Sequence, residues 1–376
     1  MRRSALAALW LAFLCPACWA GETVLYSVTD QSVMVAATNR PVSVSMPEPK
    51  TEIFAMNPET GEKRLVFSDA NARIFLFRAD SGRAGIVAAG GRIFAVAGDR
   101  QDFANDPQSA RAIYELSSDG TGKARRIFGL DNFANLFVNP AGSKVGYMPG
   151  DSTETHVVIR DTATGKLLRD AEIFSRTIEA EGAGKFGWTP DDRRIFFALG
   201  GGLDNDEAFW TTSNSPIGTY VMNEDSGAPV RLAPEAALHP KIPGMELSPD
   251  AAASLIGVLP DGEYLLSDNE YSRSGNHRAT CLYTLDLTRK TQKIFPLKAS
   301  GDPGAFYLSP SGSKVAFTVN PGIVGGQPKY SVSSTLEVWV LDLDSGKQSK
   351  LFSFTTPNVA NNRGPWMNLI GWLEGQ

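Results

Sequence analysis

Apolar residues come in short runs of four to seven positions, rich in Val, Ile, Phe and Tyr, and many of them alternate with polar residues. Clusters of Pro, Asp, Gly, Ser and Asn stand between the runs. A period of two, broken at short intervals by turn residues, predicts half-buried strands joined by reversals. The 3.6-residue period of an amphipathic helix is nearly absent.

Two patterns recur in alternation. The first is an apolar run, a Pro/Asp/Gly/Ser turn and a second apolar run, seen at 136–147, 186–197 and 306–317, with looser copies at 255–266 and 85–96. Pro presets φ, Asp or Ser bonds the local backbone and Gly takes positive φ, so the chain reverses between neighbouring antiparallel strands. The second is a strand, an Asp/Asn-x-x-x-Gly turn and another strand, at 53–66, 157–168 and 338–351, with degenerate copies at 113–127, 220–232 and 282–294. Its far strand is amphipathic, as suits an outer strand facing water.

One copy of each pattern makes a four-stranded antiparallel sheet with two apolar faces. Such a sheet cannot cover itself, but copies arranged radially cover one another, which is the β-propeller. The fold expected is all-β, a single propeller of six four-stranded blades. Seven is the alternative if 73–77 or 245–250 starts an extra blade. The termini bear on the count. The tail, 369–376, reads as an innermost strand with nothing after it, and 21–28 reads as a second strand with no first. Joined, they complete one blade and leave the ring without a free edge.

The turn Ser309-Pro-Ser-Gly-Ser-Lys314 with the following 338–347 is the clearest of these repeats, and together they resemble the TolB-like, WD40-like (PD40) propeller repeats shared with prolyl oligopeptidases. The resemblance covers roughly residues 21–376 and implies the fold. It carries over no functional residue, since the repeated positions serve turns and core. The additional N-terminal α/β domain of TolB and the Gly-x-Ser-x-Gly hydrolase domain of the peptidases have no counterpart here.

Composition changes the picture at one end. Residues 1–20 hold Arg2 and Arg3, an uncharged apolar stretch, and Cys18-Trp19-Ala20, which reads as a signal peptide cut after Ala20. The mature domain is then 21–376, periplasmic or secreted. It would carry 34 basic and 41 acidic residues, a net charge of −7, against −5 for the whole chain. That balance gives no basic field for nucleic acid. No later apolar run approaches the ~20 residues that span a bilayer. Cys281 alone would remain, so no internal disulfide is expected, and the thiol reads as buried and structural.

Candidate chemistry falls in the connections from second to third strands: 29–51, 97–111, 149–155, 199–218, 268–280 and 320–335. The opposite turns are tight. Long connections are uncommon unless they do something, so the face that bears them, around the central opening, is the expected binding face. Its candidates are Asp99, Arg100, Asp102 and Phe103; Asp204, Asp206, Glu207 and Trp210; Asp268, Glu270, Tyr271, Arg273 and His277; and Tyr330. Aromatic residues with Arg suit an interface. Asp204, Asp206 and Glu207 invite calcium, but lack the Gly and distal Glu of an EF-hand loop. His156, His239 and His277, all expected on this face, form the other metal set. No cofactor is expected, with calcium the alternative.

Two functions follow. The first is a non-catalytic, monomeric binder of an envelope or extracellular protein or peptide, favoured by the absence of a nucleophile motif. The alternative is a lyase or hydrolase of a saccharide or other polymer, using carboxylates or a His-bound metal on the same face.

Overall fold

Strands form where the alternation places them. The computed structural model describes residues 21–30, 50–69, 74–76, 85–99, 111–130, 134–149, 155–174, 183–199, 218–225, 228–240, 246–247, 253–273, 277–299, 301–321, 323–324, 327–328, 334–356 and 365–375. Residues 1–20, and with them the signal-peptide expectation, lie outside this set.

Six of the antiparallel sheets are blades, each running from an innermost to an outermost strand. In blade two these are Ala134–Val138, Lys144–Met148, Thr155–Asp161 and Leu167–Phe174. In blade three they are Ala183–Trp188, Arg194–Leu199, Gly218–Asn223 and Val230–Arg231. Blade five has Asp302–Leu308, Lys314–Asn320, Ser334–Asp342 and Gln348–Thr356. Blade six is built from both ends of the chain: Trp366–Leu373, Thr23–Asp30, Lys50–Met56 and Lys63–Ser68. Trp372 pairs with Val24 and Gly371 with Leu25, so the predicted closure is present. Every innermost strand touches the innermost strands of both its neighbours.

Blades one and four decide the count. Blade one has second to fourth strands Arg92–Asp99, Arg111–Leu116 and Ala124–Gly129, and its innermost strand comes in two pieces. Ile74–Leu76 pairs with residues 97–99 of the second strand and Ile86–Ala89 with residues 92–95. Blade four repeats this. Glu246–Leu247 and Ser254–Val258 both pair with Tyr264–Arg273, followed by His277–Asp286 and Thr291–Phe295. The segments weighed as starts of a seventh blade are thus first halves of interrupted innermost strands, and the propeller has six blades. In a ring of six, these two blades stand opposite each other.

The core is six slabs, one per boundary between blades. Alternation along each strand serves two boundaries at once. Leu25 and Ile53 of blade six join Ile93 and Ala95 of blade one, whereas Val24 and Tyr26 join Ala316 and Val340 of blade five. Phe137 meets Phe186 and Trp188 across the boundary of blades two and three. The other three boundaries have clusters of the same kind.

The turns follow the sequence. Gly142 and Gly312 have φ of +68° and +74°, and each donates its N–H to the carbonyl of the turn's first residue, Asn139 or Ser309, at 2.9 Å. A Cβ on Gly312 would lie 2.4 Å from Pro260 Cδ in the neighbouring turn, so Gly is required there for space as well as conformation. Asp192 (φ 59°) and Lys290 (φ 57°) hold the corresponding conformation in turns where glycine is replaced.

Candidate functional site

Strand direction gives the propeller two unlike ends. One end, the turn face, carries the turns between first and second and between third and fourth strands. The other, the loop face, carries the second-to-third connections and the crossings between blades.

The turn face uses its polar groups to join blades. Arg92 donates to Glu115 (2.6 Å), to the Gly142 carbonyl of blade two (2.6 Å) and to Thr162 Oγ1 (3.1 Å). Arg125 holds the other oxygen of Glu115 at 2.6 Å, and the hydrogen bond from Arg92, with that from Arg125, keeps this carboxyl below its ordinary range. Lys144 pairs with Glu224 at 2.7 Å, Asn139 donates to Asp192 at 2.8 Å, and Lys314 reaches Glu59 of blade six at 3.3 Å. The Ser311 N–H donates to Glu22 at 2.5 Å.

A related device was not anticipated. Each outermost strand carries a cation three or four residues after its turn: Arg64, Arg125, Arg169, Arg231, Lys293 and Lys350. Four of them donate to main-chain carbonyls in the third-to-fourth turn of the next blade. Arg64 reaches Ser118 (3.5 Å), Arg125 reaches Thr162 (3.0 Å), Arg169 reaches Asn223 (2.5 Å) and Glu224, and Lys293 reaches Leu343 (2.6 Å). The signal was present as a Lys or Arg three or four residues beyond each turn.

The loop face is different. Asp99 is buried and ends the second strand of blade one opposite Ile74, so it belongs to a strand rather than a loop. The expected loop 268–280 is mostly strand: Tyr271 pairs with Ala279 and Arg273 with His277. Asp268 pairs with Cys281, and Glu270 falls in the irregularity between Asp268 and Tyr271. The polar residues there misled because an antiparallel ladder bonds through backbone groups whatever the side chains. Part of 320–335 is also paired, Ile323–Val324 with Gln327–Pro328. Arg100, Asp102, Phe103, Asp204, Asp206, Glu207, Trp210 and Tyr330 lie outside the described residues.

The histidines are spread over different blades. His156 Nδ1 lies 2.9 Å from Asp170 Oδ1 on the third and outermost strands of blade two. His239 is buried after the helical turn Glu235–Leu238, and its carbonyl accepts a bond from Gln292 of blade four. Gln292 is next to the third-to-fourth turn, which puts His239 toward the turn face rather than the loop face. Among the described residues no three His, Cys, Asp or Glu side chains gather as a metal site.

What the loop face does assemble is a polar group at the boundary of blades six and one. Asp69 accepts the Thr51 N–H at 2.7 Å, Thr29 and Thr51 share a hydroxyl bond at 3.1 Å, and Lys50 pairs with Glu52 at 2.7 Å. Burial pushes the Asp69 carboxyl up to about 6. Asp69 was missed because a single Asp in a crossing carries no pattern.

The sequence matches no protein-family model, and no curated protein is similar to it in sequence. Solved structures share the fold. A protein of Agrobacterium tumefaciens assigned as TolB superposes with a TM-score of 0.51 at 14% identity, over 93% of this chain and 99% of that one. TolB of Acinetobacter baumannii superposes with a TM-score of 0.50 at 13% identity, over 94% of this chain and 66% of that one. Enzymes also match, among them an oligogalacturonate lyase in complex with manganese (TM-score 0.41, 11% identity, 80% of this chain and 70% of that one). At these identities the likeness is one of fold. Among the described residues no helix is long and apolar enough to cross a membrane.

Proposed function

We propose that this chain is an exported, non-catalytic propeller that binds a protein or peptide through its loop face and central opening. The observation that carries the reading is the contrast between the two ends. On the turn face, short turns and polar side chains are taken up in joining one blade to the next. On the loop face, blade strands end at Asp30, Asp99 and Leu199 and resume only at Lys50, Arg111 and Gly218, and between Asn320 and Ser334 the blade is interrupted by the short pair Ile323–Val324 and Gln327–Pro328. Chain of that length, held on a rigid ring, suits recognition. The fold-level likeness to TolB is compatible with such a role but does not supply the partner.

The test uses a photo-crosslinking residue placed either at the loop face (Asp30 or Asn320) or at the turn face (Asp261 or Ser313), in protein exposed to periplasmic extract. One dominant adduct from the loop-face positions alone supports the reading. Adducts from the turn-face positions alone would sink it. A stoichiometric transition metal in the purified protein would favour the lyase or hydrolase instead.

A further inference from the structure

Blade four has long inner strands and a short outer one. Its second strand, Tyr264–Arg273, and its third, His277–Asp286, have ten residues each. Its fourth, Thr291–Phe295, has five and pairs only with Leu282–Asp286. The chain then leaves the ladder at Pro296. Gln348 of blade five donates to the Pro296 carbonyl at 2.8 Å and accepts the Lys298 N–H at 2.9 Å, which draws the crossing toward the next blade. No described strand stands against the outer side of His277–Cys281, at the loop-face end of the blade.

The other blades leave no such edge. The fourth strand reaches Thr155 in blade two and Ser334 in blade five, the first residue of each third strand. In blade one Leu130 donates to the Arg111 carbonyl, and in blade three Leu232 donates to that of Thr219. In blade six Asp69 takes the Thr51 N–H. Alternation says which groups of blade four face outward. In blade five the third-to-fourth hairpin closes with the Asp342 N–H on the Lys347 carbonyl. Asp286 and Thr291 hold the corresponding places in blade four. From Asp286 backward, every second residue aims its N–H and C=O at the outer side. Those of Thr284 and Leu282 meet the fourth strand; those of Thr280 and Arg278 meet no described strand.

We propose that the His277–Cys281 edge takes an extended segment of a partner protein as an added strand, paired with the main-chain groups of Arg278 and Thr280. This rests on the reading of the loop face as the binding face, and it names where and how that face binds. An unpaired edge is a template for another chain, and main-chain hydrogen bonds supply the affinity. The segment must offer N–H groups on alternate residues, so proline is excluded there. The edge carries Arg278 and no acidic residue, which favours acidic over basic residues opposite it.

Amide exchange in the free protein tests the edge itself. Arg278 and Thr280 should exchange about a hundredfold faster than Ala279 and Cys281, whose N–H groups face the second strand. Equal protection would mean that a segment of the same chain already covers the edge, and overturns the proposal. The second arm selects binders from a random heptapeptide library on the native protein and measures a synthetic copy by fluorescence anisotropy. N-methylation of alternate residues in the peptide should weaken binding about tenfold, and methylation of those between should leave it level. Bound peptide should slow exchange at Arg278 and Thr280. Thr280→Pro removes one outward N–H and none that faces the second strand, and should weaken binding about as much as N-methylation. No selected peptide, or one indifferent to these changes, overturns the added strand. So does a dimer of the free protein that Thr280→Pro dissociates, since the occupant is then a second copy. Should Thr280→Pro fail to fold, the N-methyl series on the native protein decides. Loop-face adducts from extract that persist undiminished in Thr280→Pro would refute the added strand and leave the loop-face reading standing.

Discussion

Asp161 and Asp342 show how one side chain makes a reversal. Each accepts its turn's amide (Thr164 N at 2.7 Å, Ser345 N at 2.8 Å) and the hydroxyl of the same residue. The hydroxyl bonds, first among the causes, hold both carboxyls below their ordinary range. Asn57 builds the same turn in blade six with a neutral amide. A lowered folded-state value means stability that is present above the ordinary carboxylate range and lost as pH falls through the depressed one. The urea midpoint should therefore drop as pH falls from 5 toward 3, and drop less in a double Asp161→Asn, Asp342→Asn variant. Because both groups are only half-buried, the effect should be small. Gly312→Ala acts differently, combining positive φ with the clash at Pro260, and should destabilise by about 2–3 kcal/mol in denaturant unfolding.

Elements are held by the cations of the outermost strands. Removing Arg169 leaves carbonyls of Asn223 and Glu224 without a charged donor, so Arg169→Ala should lower stability by about 1–3 kcal/mol. Lys293→Ala, with its single short bond to Leu343, should fall toward the lower end. The same residues defend the sheet edges, since a Lys or Arg on every outermost strand opposes pairing with another chain. At this scale the turns and strand pairs were legible because Pro, Gly and Asp have local conformational consequences. The register around Val96 was not. Leu76 pairs with Ala97 and Ile86 with Ala95, so the two pieces of the innermost strand meet the second strand on either side of Val96 although nine positions separate them in sequence. No local pattern announces such an insertion. Nor did one reveal the His277–Arg273 pairing, where polar side chains hid a ladder made by the backbone.

For the whole molecule, the closing strand is the decisive part. Met367, Leu369 and Trp372 face blade five and Ile370 and Leu373 face blade one, all buried. Trp372 Nε1 donates to the Tyr307 carbonyl at 2.9 Å. Trp372→Ala should lower stability by about 3–5 kcal/mol. Removing 369–376 should turn a single cooperative melt into a broad or lost transition, because blade six loses its innermost strand and two slabs lose a wall. An unchanged melt would count against the closure. The closure was legible because each end of the chain reads as half of a missing blade. The binding face was legible only as an end of the ring, since its side-chain chemistry depends on which loops the fold brings together.

The pairing of Thr23 with Leu373 joins groups 350 positions apart. A ribosome makes the first of these partners 350 residues before the second. Five blades have all their strands before the sixth can exist, and until then two apolar flanks wait uncovered. The ring therefore closes only once the second partner has been made, and the interval before it is when the chain is most exposed to aggregation.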